Sequence, residues 1–181
     1  MLRVTALELT RICNDLRLLS SGPITGLAEL FLPVVQPGSS IMPGKVNPSI
    51  LEAMNQILYG VLGYDQTVAL AIQAGQLELN VMMPVMAYSL LEATQILASG
   101  LKMLRERCIE GIAPNLARLR HYAESTPQVA TALSPKLGYE RTAELVQESL
   151  RTGESVIEIA RSKKLLGEQE LKNILRSQKL A

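Results

Sequence analysis

Leu9, Ile12, Cys13 and Leu16 fall on one helical face, at the i, i+3, i+4 and i+7 positions, with Arg11, Asp15 and Arg17 off that face. The pattern predicts a first helix over about residues 3–20. No N-cap residue precedes it, and Ser20-Ser21-Gly22-Pro23 should end it. The segment 24–47 follows, holding Pro33, Pro37, Gly38, Pro43 and Gly44. Structureless stretches beyond about 12–15 residues are uncommon and usually functional or disordered, and this one is not polar enough to be a mere linker. From Pro48 to about Gln73, and again from Pro84 to about Cys108, the chain is free of proline. Each run predicts a helix of roughly 25 residues, about 37 Å long. Pro48 and Pro84 suit a first turn, where the missing N–H costs nothing.

Both long helices are apolar over more than one stripe. Ile57, Leu58, Val61, Leu62 and Val68 mark one; Leu90, Leu91, Ile96, Leu97 and Leu101 mark the other. Helices of this kind are buried on several sides, and a chain of this size cannot cover both, so helices from other chains are expected against them. Gly60 and Gly63, three apart, offer a place for a neighbouring helix to come close. Past Gly111 the segments shorten and charges rise, with Pro114, Pro127 and Pro135 dividing the chain into small helices. Ser155 and Glu158 have the spacing of a capping box, and Glu168-Gln169-Glu170 suits the start of a last helix. The expected organisation is all-α: part of a long helical bundle over 1–110, including the loop 24–47, and a small helical domain over 111–181.

Composition narrows the chemistry. A net charge of +1 gives no bias toward nucleic acid. Aromatics at 3% offer no stacking platform for bases and argue against a β-sandwich. Cys13 and Cys108 are too few for a disulfide framework or a four-thiolate zinc site, and no metal site is indicated. They read as buried small apolar residues. Glu52, Asp65, Glu78, Glu92 and Lys102 interrupt the apolar stretches, short of the roughly 20 consecutive apolar residues a membrane helix needs. With no secretory pattern at the start, no membrane and a cytoplasmic setting are expected. His121, beside Tyr122 on a charged helix, reads as a surface histidine; Met82, Met83 and Met86 read as core or interface filler. Lys163-Lys164 reads as a solvated face. Arg11 and Arg17 are candidates for buried pairs with Glu8 or Asp15.

The densest chemistry lies in Gly38-Ser39-Ser40-Ile41-Met42-Pro43-Gly44-Lys45-Val46-Asn47-Pro48, which runs into a long helix. A helix N-terminus presents unpaired N–H groups and about half a positive charge, a natural seat for a carboxylate or phosphate. Lys45 adds a full cation, and Asn47 an amide that donates and accepts. Physical chemistry alone gives an anion site with a serine available as base or nucleophile. It equally allows a Gly/Pro-rich lead-in whose Asn47 only caps the helix.

Gly38 to Pro48 resembles the signature GSSxMPxKxNP of the fumarase/aspartase superfamily. The likeness extends over Asn14-Asp15-Leu16-Arg17 with Ser21-Gly22-Pro23, Glu52, Leu77-Glu78-Leu79-Asn80-Val81, and Leu137-Gly138-Tyr139. The chain is thus similar to the C-terminal part of such a lyase, with the N-terminal domain and the front of the central helices missing. Asn55-Gln56 and Ala74 to Met82 resemble the aspartase branch; Gly111 to Asn115 leans toward class II fumarases, and Met83 departs from both.

The resemblance implies reversible elimination of ammonia from L-aspartate to give fumarate, in a homotetramer needing no organic cofactor. Ser39 would be the base that takes a proton from the carbon beside a carboxylate. Lys45 and Asn47 would bind the substrate carboxylate, with Ser40 and Val46 adding loop contacts. Glu52 matches the family glutamate that pairs with a histidine from another segment, and His121 is out of context for that role. Fumarate hydration is the neighbouring alternative, and a non-catalytic helical oligomerisation fragment the third.

Overall fold

The computed structural model describes residues 1–36, 38, 41–42 and 45–177, side chains of 175–177 excepted. They fall into two compact units, Met1–Asn115 and Leu116–Ala181.

The first unit is built on three helices, α1 (Leu2–Leu19), α2 (Ser49–Gln73) and α3 (Met83–Arg107), with α2 packed against both others. Its core takes Ala6 and Cys13 from α1, Leu51, Met54, Leu58 and Val61 from α2, and Ala93, Leu97 and Leu104 from α3. The stripe that α1 turns inward is Leu2, Ala6, Leu9, Cys13 and Leu16. Ile12, expected on that face, lies about 100° round from Cys13 and is exposed. Pro84 sits in the first turn of α3 as expected, whereas Pro48 takes the cap position just outside α2. Gly60 does face α3, where a Cβ would lie 3.5 Å from Ile96 Cδ1, an ordinary contact, but the tightest approach between α2 and α3 is elsewhere. A Cβ on Gly63 would meet nothing within 4 Å, whereas one on Gly100 of α3 would lie 3.0 Å from both Met54 Sδ and Ile57 Cδ1.

Two short strands complete the unit: β1 (Leu30–Phe31) pairs antiparallel with β2 (Ala113–Pro114), Leu30 opposite Pro114 and Phe31 opposite Ala113. Asn115 extends the join, its backbone N–H donating to the Glu29 carbonyl at 2.8 Å and its Nδ2 to the Ala28 carbonyl at 2.9 Å. The segment after α1 is thereby fastened to the segment after α3. Apart from this ladder and one isolated bridge the regular structure among the described residues is helical, so the all-α expectation holds. The outward faces of the long helices stay bare: Tyr59, Leu70 and Ile72 on α2, Tyr88, Leu90 and Leu91 on α3 are exposed. Met82 and Met83, expected as filler, are exposed too and pack no core within this unit.

The second unit strings together α4 (Leu116–Ser125), a 3-10 turn at Pro127–Val129, α5 (Ala130–Leu137), α6 (Tyr139–Thr152), α7 (Val156–Ser162) and α8 (Glu168–Ser177). Val129, Leu133, Leu145, Val156, Ile159 and Leu171 form its centre. The capping box is present: Ser155 Oγ accepts from Glu158 N, and a Glu158 oxygen accepts from Ser155 N at 3.0 Å. Pro135, expected as a divider, lies inside α5, which ends two residues on at Leu137 and is capped by Gly138 with φ 82°. Lys163 of the expected solvated pair forms an ion pair with Glu148. Among the described residues, no helix is long and apolar enough to cross a membrane, and no group of three His, Cys, Asp or Glu could hold a metal.

Candidate functional site

The loop ahead of α2 is closed by its own backbone. Gly38 N–H donates to the Lys45 carbonyl at 3.0 Å, and Asn47 Nδ2 donates to the Gly38 carbonyl at 3.0 Å. The Lys45 N–H turns back to the Met42 carbonyl at 3.2 Å. Gly38 is needed for this approach, because a Cβ there would strike the Lys45 carbonyl. Asn47 spends one amide hydrogen on the loop, which leaves the second for another acceptor. Beyond it the start of α2 has no side-chain cap; the Ser49 N–H donates to the Asn47 carbonyl at 2.8 Å, and the N–H groups that follow it in the first turn lie at the positive end of the helix.

Lys45, Val46 and Asn47 come together on the wall of one cleft of about 580 Å³, with Ser20, Phe31, Val34 and Asn115 among the other lining residues. Lys45 is the single charged side chain among the described lining residues, and it makes no ion pair with any of them. A cavity of small-molecule size with one lone cation, an amide N–H and apolar walls selects for an anion. Ser39 and Ser40, expected as base and loop contact, lie outside the described residues.

Glu52 is not part of that wall. It sits in the first turn of α2, where a negative charge is favoured. Its Oε1 lies 3.7 Å from Nη2 of Arg17, in the last turn of α1. Arg17 also donates to Asn14 Oδ1 at 3.2 Å, and that oxygen accepts from Asn55 Nδ2 at 2.9 Å. The expected pairing of Arg17 with Glu8 or Asp15 is therefore corrected. Arg11 takes both, at 3.0 and 3.3 Å, and does so on the surface, because all three side chains stand on the solvent face of α1.

Two residues of this neighbourhood escaped sequence reasoning as site components. Arg17 carried a usable signal, a cation at a helix C-terminus with a carboxylate at the start of a later helix. Asn115 carried none, since its role depends on the β1–β2 pairing. The remaining candidates stand apart from the cleft. His121 Nδ1 lies 3.4 Å from Ser125 Oγ within α4, its ring beside Tyr122. Cys13 and Cys108 are buried, and burial pushes both thiols up from their ordinary range, away from the reactive thiolate.

Residues 1–63 match a family model described as lyase, and residues 129–181 match one described as the fumarase C C-terminus. An aspartate ammonia-lyase of Pseudomonas aeruginosa is 49% identical over 175 residues, which are 97% of this chain and 37% of that protein. One of Bacillus subtilis is 47% identical over 174 residues, 96% of this chain and 37% of that protein. The chain thus spans well under half the length of the curated relatives it matches. A crystal structure of fumarate lyase:delta crystallin from Brucella melitensis bound to cobalt matches with TM-score 0.94 at 48% identity, over 99% of this chain and 39% of that one. Recombinant class II fumarase from Schistosoma mansoni matches with TM-score 0.81 at 36% identity, over 96% of this chain and 36% of that one.

Proposed function

Because this chain belongs to the fumarase/aspartase superfamily of lyases, we propose that it forms part of an enzyme that reversibly eliminates ammonia from L-aspartate to give fumarate. The observation that carries this reading is the cleft at the head of α2, where Lys45 stands as the lone charge beside a spare amide N–H of Asn47. The higher identity to the two aspartate ammonia-lyases, 49% and 47% against 36% to the class II fumarase, favours the amine over the hydroxyl substrate.

In this mechanism Ser39 takes the proton from the carbon next to one carboxylate. The electron pair moves into that carboxylate, which becomes a doubly negative aci-carboxylate. Collapse of this species breaks the bond from the neighbouring carbon to its protonated amine, the ammonium group, which leaves as ammonia, and forms the double bond of fumarate. Lys45 and Asn47 bind the carboxylate in its ground state and gain strength as its charge doubles, which is how preorganised donors lower a barrier. A serine hydroxyl is too weak an acid to ionise unaided near neutral pH, so the adjacent cation and loop N–H groups must support its anion. Glu52 orients a histidine supplied by another segment. The bare apolar faces of α2 and α3 support assembly with further copies, as the homotetramer requires.

The test is Ser39→Ala in the full-length protein. Turnover of aspartate falls by about 10²–10⁴-fold while dicarboxylate binding persists. Lys45→Ala raises KM as well as lowering kcat. Near-normal turnover in the Ser39 variant removes the base, and faster fumarate hydration than aspartate deamination in the unaltered protein replaces the substrate.

A further inference from the structure

Resting on the reading that Glu52 takes part in the elimination, we propose that Arg17 is a positioning residue that acts on the reaction through Glu52. The carboxylate of Glu52 accepts no hydrogen bond from any described residue, and its side chain is 42% exposed. Its one charged partner is Arg17, so what orients Arg17 orients Glu52. Arg17 is held from behind by Asn14 Oδ1, and Asn14 by Asn55, which is 3% exposed and one turn along α2 from Glu52. The guanidinium therefore bridges the end of α1 to the start of α2, each charge standing at the helix terminus that favours it.

The cluster is poorly suited to a purely structural role. Arg17 Nε and Asn55 Oδ1 are buried without a hydrogen-bond partner, a donor and an acceptor left open inside the unit. The Arg17–Glu52 pair, 3.7 Å apart and 40% and 42% exposed, adds little to stability as an ion pair open to water. With no described donor on the carboxylate, Glu52 keeps acceptor capacity for a cationic or N–H partner such as an imidazole, while Arg17 keeps it from swinging. A carboxylate without that neighbour would also stand unopposed close after the anion-binding loop, against a dicarboxylate substrate.

The experiment is a double-mutant cycle on the full-length enzyme, with kcat and KM for aspartate measured for Arg17→Gln, Glu52→Gln and the double variant. Arg17→Gln lowers kcat about 10- to 100-fold with KM within about twofold, the size expected when a reacting group loses its alignment. Arg17→Lys restores part of that loss. In the Glu52→Gln background the Arg17 change costs less than about twofold, because its target is gone. Equal losses in both backgrounds, or a change in KM with kcat intact, overturn the proposal and leave the elimination reading standing. Wild-type kcat in Glu52→Gln overturns the role of Glu52 and the proposal with it. Should Arg17→Gln not fold, Arg17→Lys is read in the same cycle. A kcat loss that disappears with Glu52→Gln supports the proposal; no loss, or an equal one, overturns it.

Discussion

Gly38 and Lys45 meet backbone to backbone, the N–H of one donating to the carbonyl of the other at 3.0 Å, so the loop that carries the signature is pinned at its two ends before α2 begins. The pin sets where the Lys45 ammonium stands, because it fixes the residue's own carbonyl. Gly38→Ala inserts a Cβ into that carbonyl, and backbone must shift to admit it. In the full-length enzyme the expected loss is about 10²-fold in kcat/KM, the cost of displacing a substrate-binding group by about 1 Å. The melting temperature should barely move, since the loop lies off the core. A variant with unchanged kinetics would show that the pin does not position Lys45.

Asn80 joins the two long helices of the first unit. Its Nδ2 donates to the Ala71 carbonyl at 3.0 Å, near the end of α2, and its Oδ1 accepts from Met82 N at 2.8 Å, at the start of α3. One side chain thus serves an orphan carbonyl and an orphan N–H. Asn80→Ala should cost about 1–2 kcal/mol, as a lost cap does. Asn80→Asp keeps the acceptor for Met82 and loses the donor for Ala71, so urea melts should place it between wild type and Ala. Equal stability for Ala and wild type would mean that water replaces both bonds.

At Gly100 two effects oppose each other. Alanine gains up to about 1 kcal/mol of helix propensity over glycine. Against that, its Cβ would sit 3.0 Å from Met54 Sδ and Ile57 Cδ1, the ends of flexible side chains that can yield. The net effect of Gly100→Ala should therefore stay within about 1 kcal/mol of zero. Gly100→Val adds two further methyl groups where α2 and α3 are already in contact, and overpacking of that kind costs about 1–3 kcal/mol. Equilibrium unfolding of the pair measures the difference; a Val variant as stable as Ala would mean that the helices move apart freely.

Much of the fold was legible because local signals agreed with packing. Leu58, Val61 and Leu97 lie in predicted apolar stripes and occupy the core, and Ser155 with Glu158 forms the capping box that its spacing prescribes. Legibility failed where position depends on a partner element. Ile12 satisfies the period of α1 as well as Leu2 or Ala6 does, and only α2 decides which stripe is buried. Arg17 has no acid three or four positions away along α1, and its partner Glu52 lies across the α1–α2 contact, where helical spacing says nothing. At the candidate site, chemistry and spacing single out Lys45 and Asn47, and the structure sets both on the wall of one cleft. The wall opposite them, from Ser20 to Asn115, is assembled by strand pairing that no local pattern announces.

Acid should loosen the second unit through Glu170 and Glu158. The Lys136 hydrogen bond, then the Gly167 N–H, hold the Glu170 carboxyl below its ordinary range, and Ser155 does the same for Glu158. A carboxyl lowered in the folded state contributes stability that is whole above its ordinary value of 4.5 and is lost as pH falls through the lowered one. Both groups are exposed, so the contribution is small and weakened by salt. Hydrogen exchange of the α7 and α8 amides should quicken below that window, and Glu170→Gln should reduce the dependence. Protection of α8 that is flat in pH for the wild type would rule these carboxyls out.

The 181 residues expressed alone should have no measurable lyase activity. On the proposed reading they carry one set of substrate ligands, Lys45 and Asn47, and a Glu52 whose histidine partner comes from another segment. A substrate with two carboxylates needs both held, and the preorganisation of the pair is what turns binding into rate, worth up to about 7–11 kcal/mol in well-aligned systems. Losing half of the clamp forfeits most of that. The exposed Tyr59, Leu70, Ile72, Tyr88, Leu90 and Leu91 would also meet water where partner helices are expected, so the isolated chain should self-associate or bind a hydrophobic dye. Purified chain incubated with millimolar aspartate at alkaline pH, followed by fumarate absorbance, provides the measurement. Turnover within about tenfold of a full-length relative would show that the second carboxylate is bound within these residues, and the site would have to be rebuilt around Asn115 and Ser20 on the far wall of the cleft.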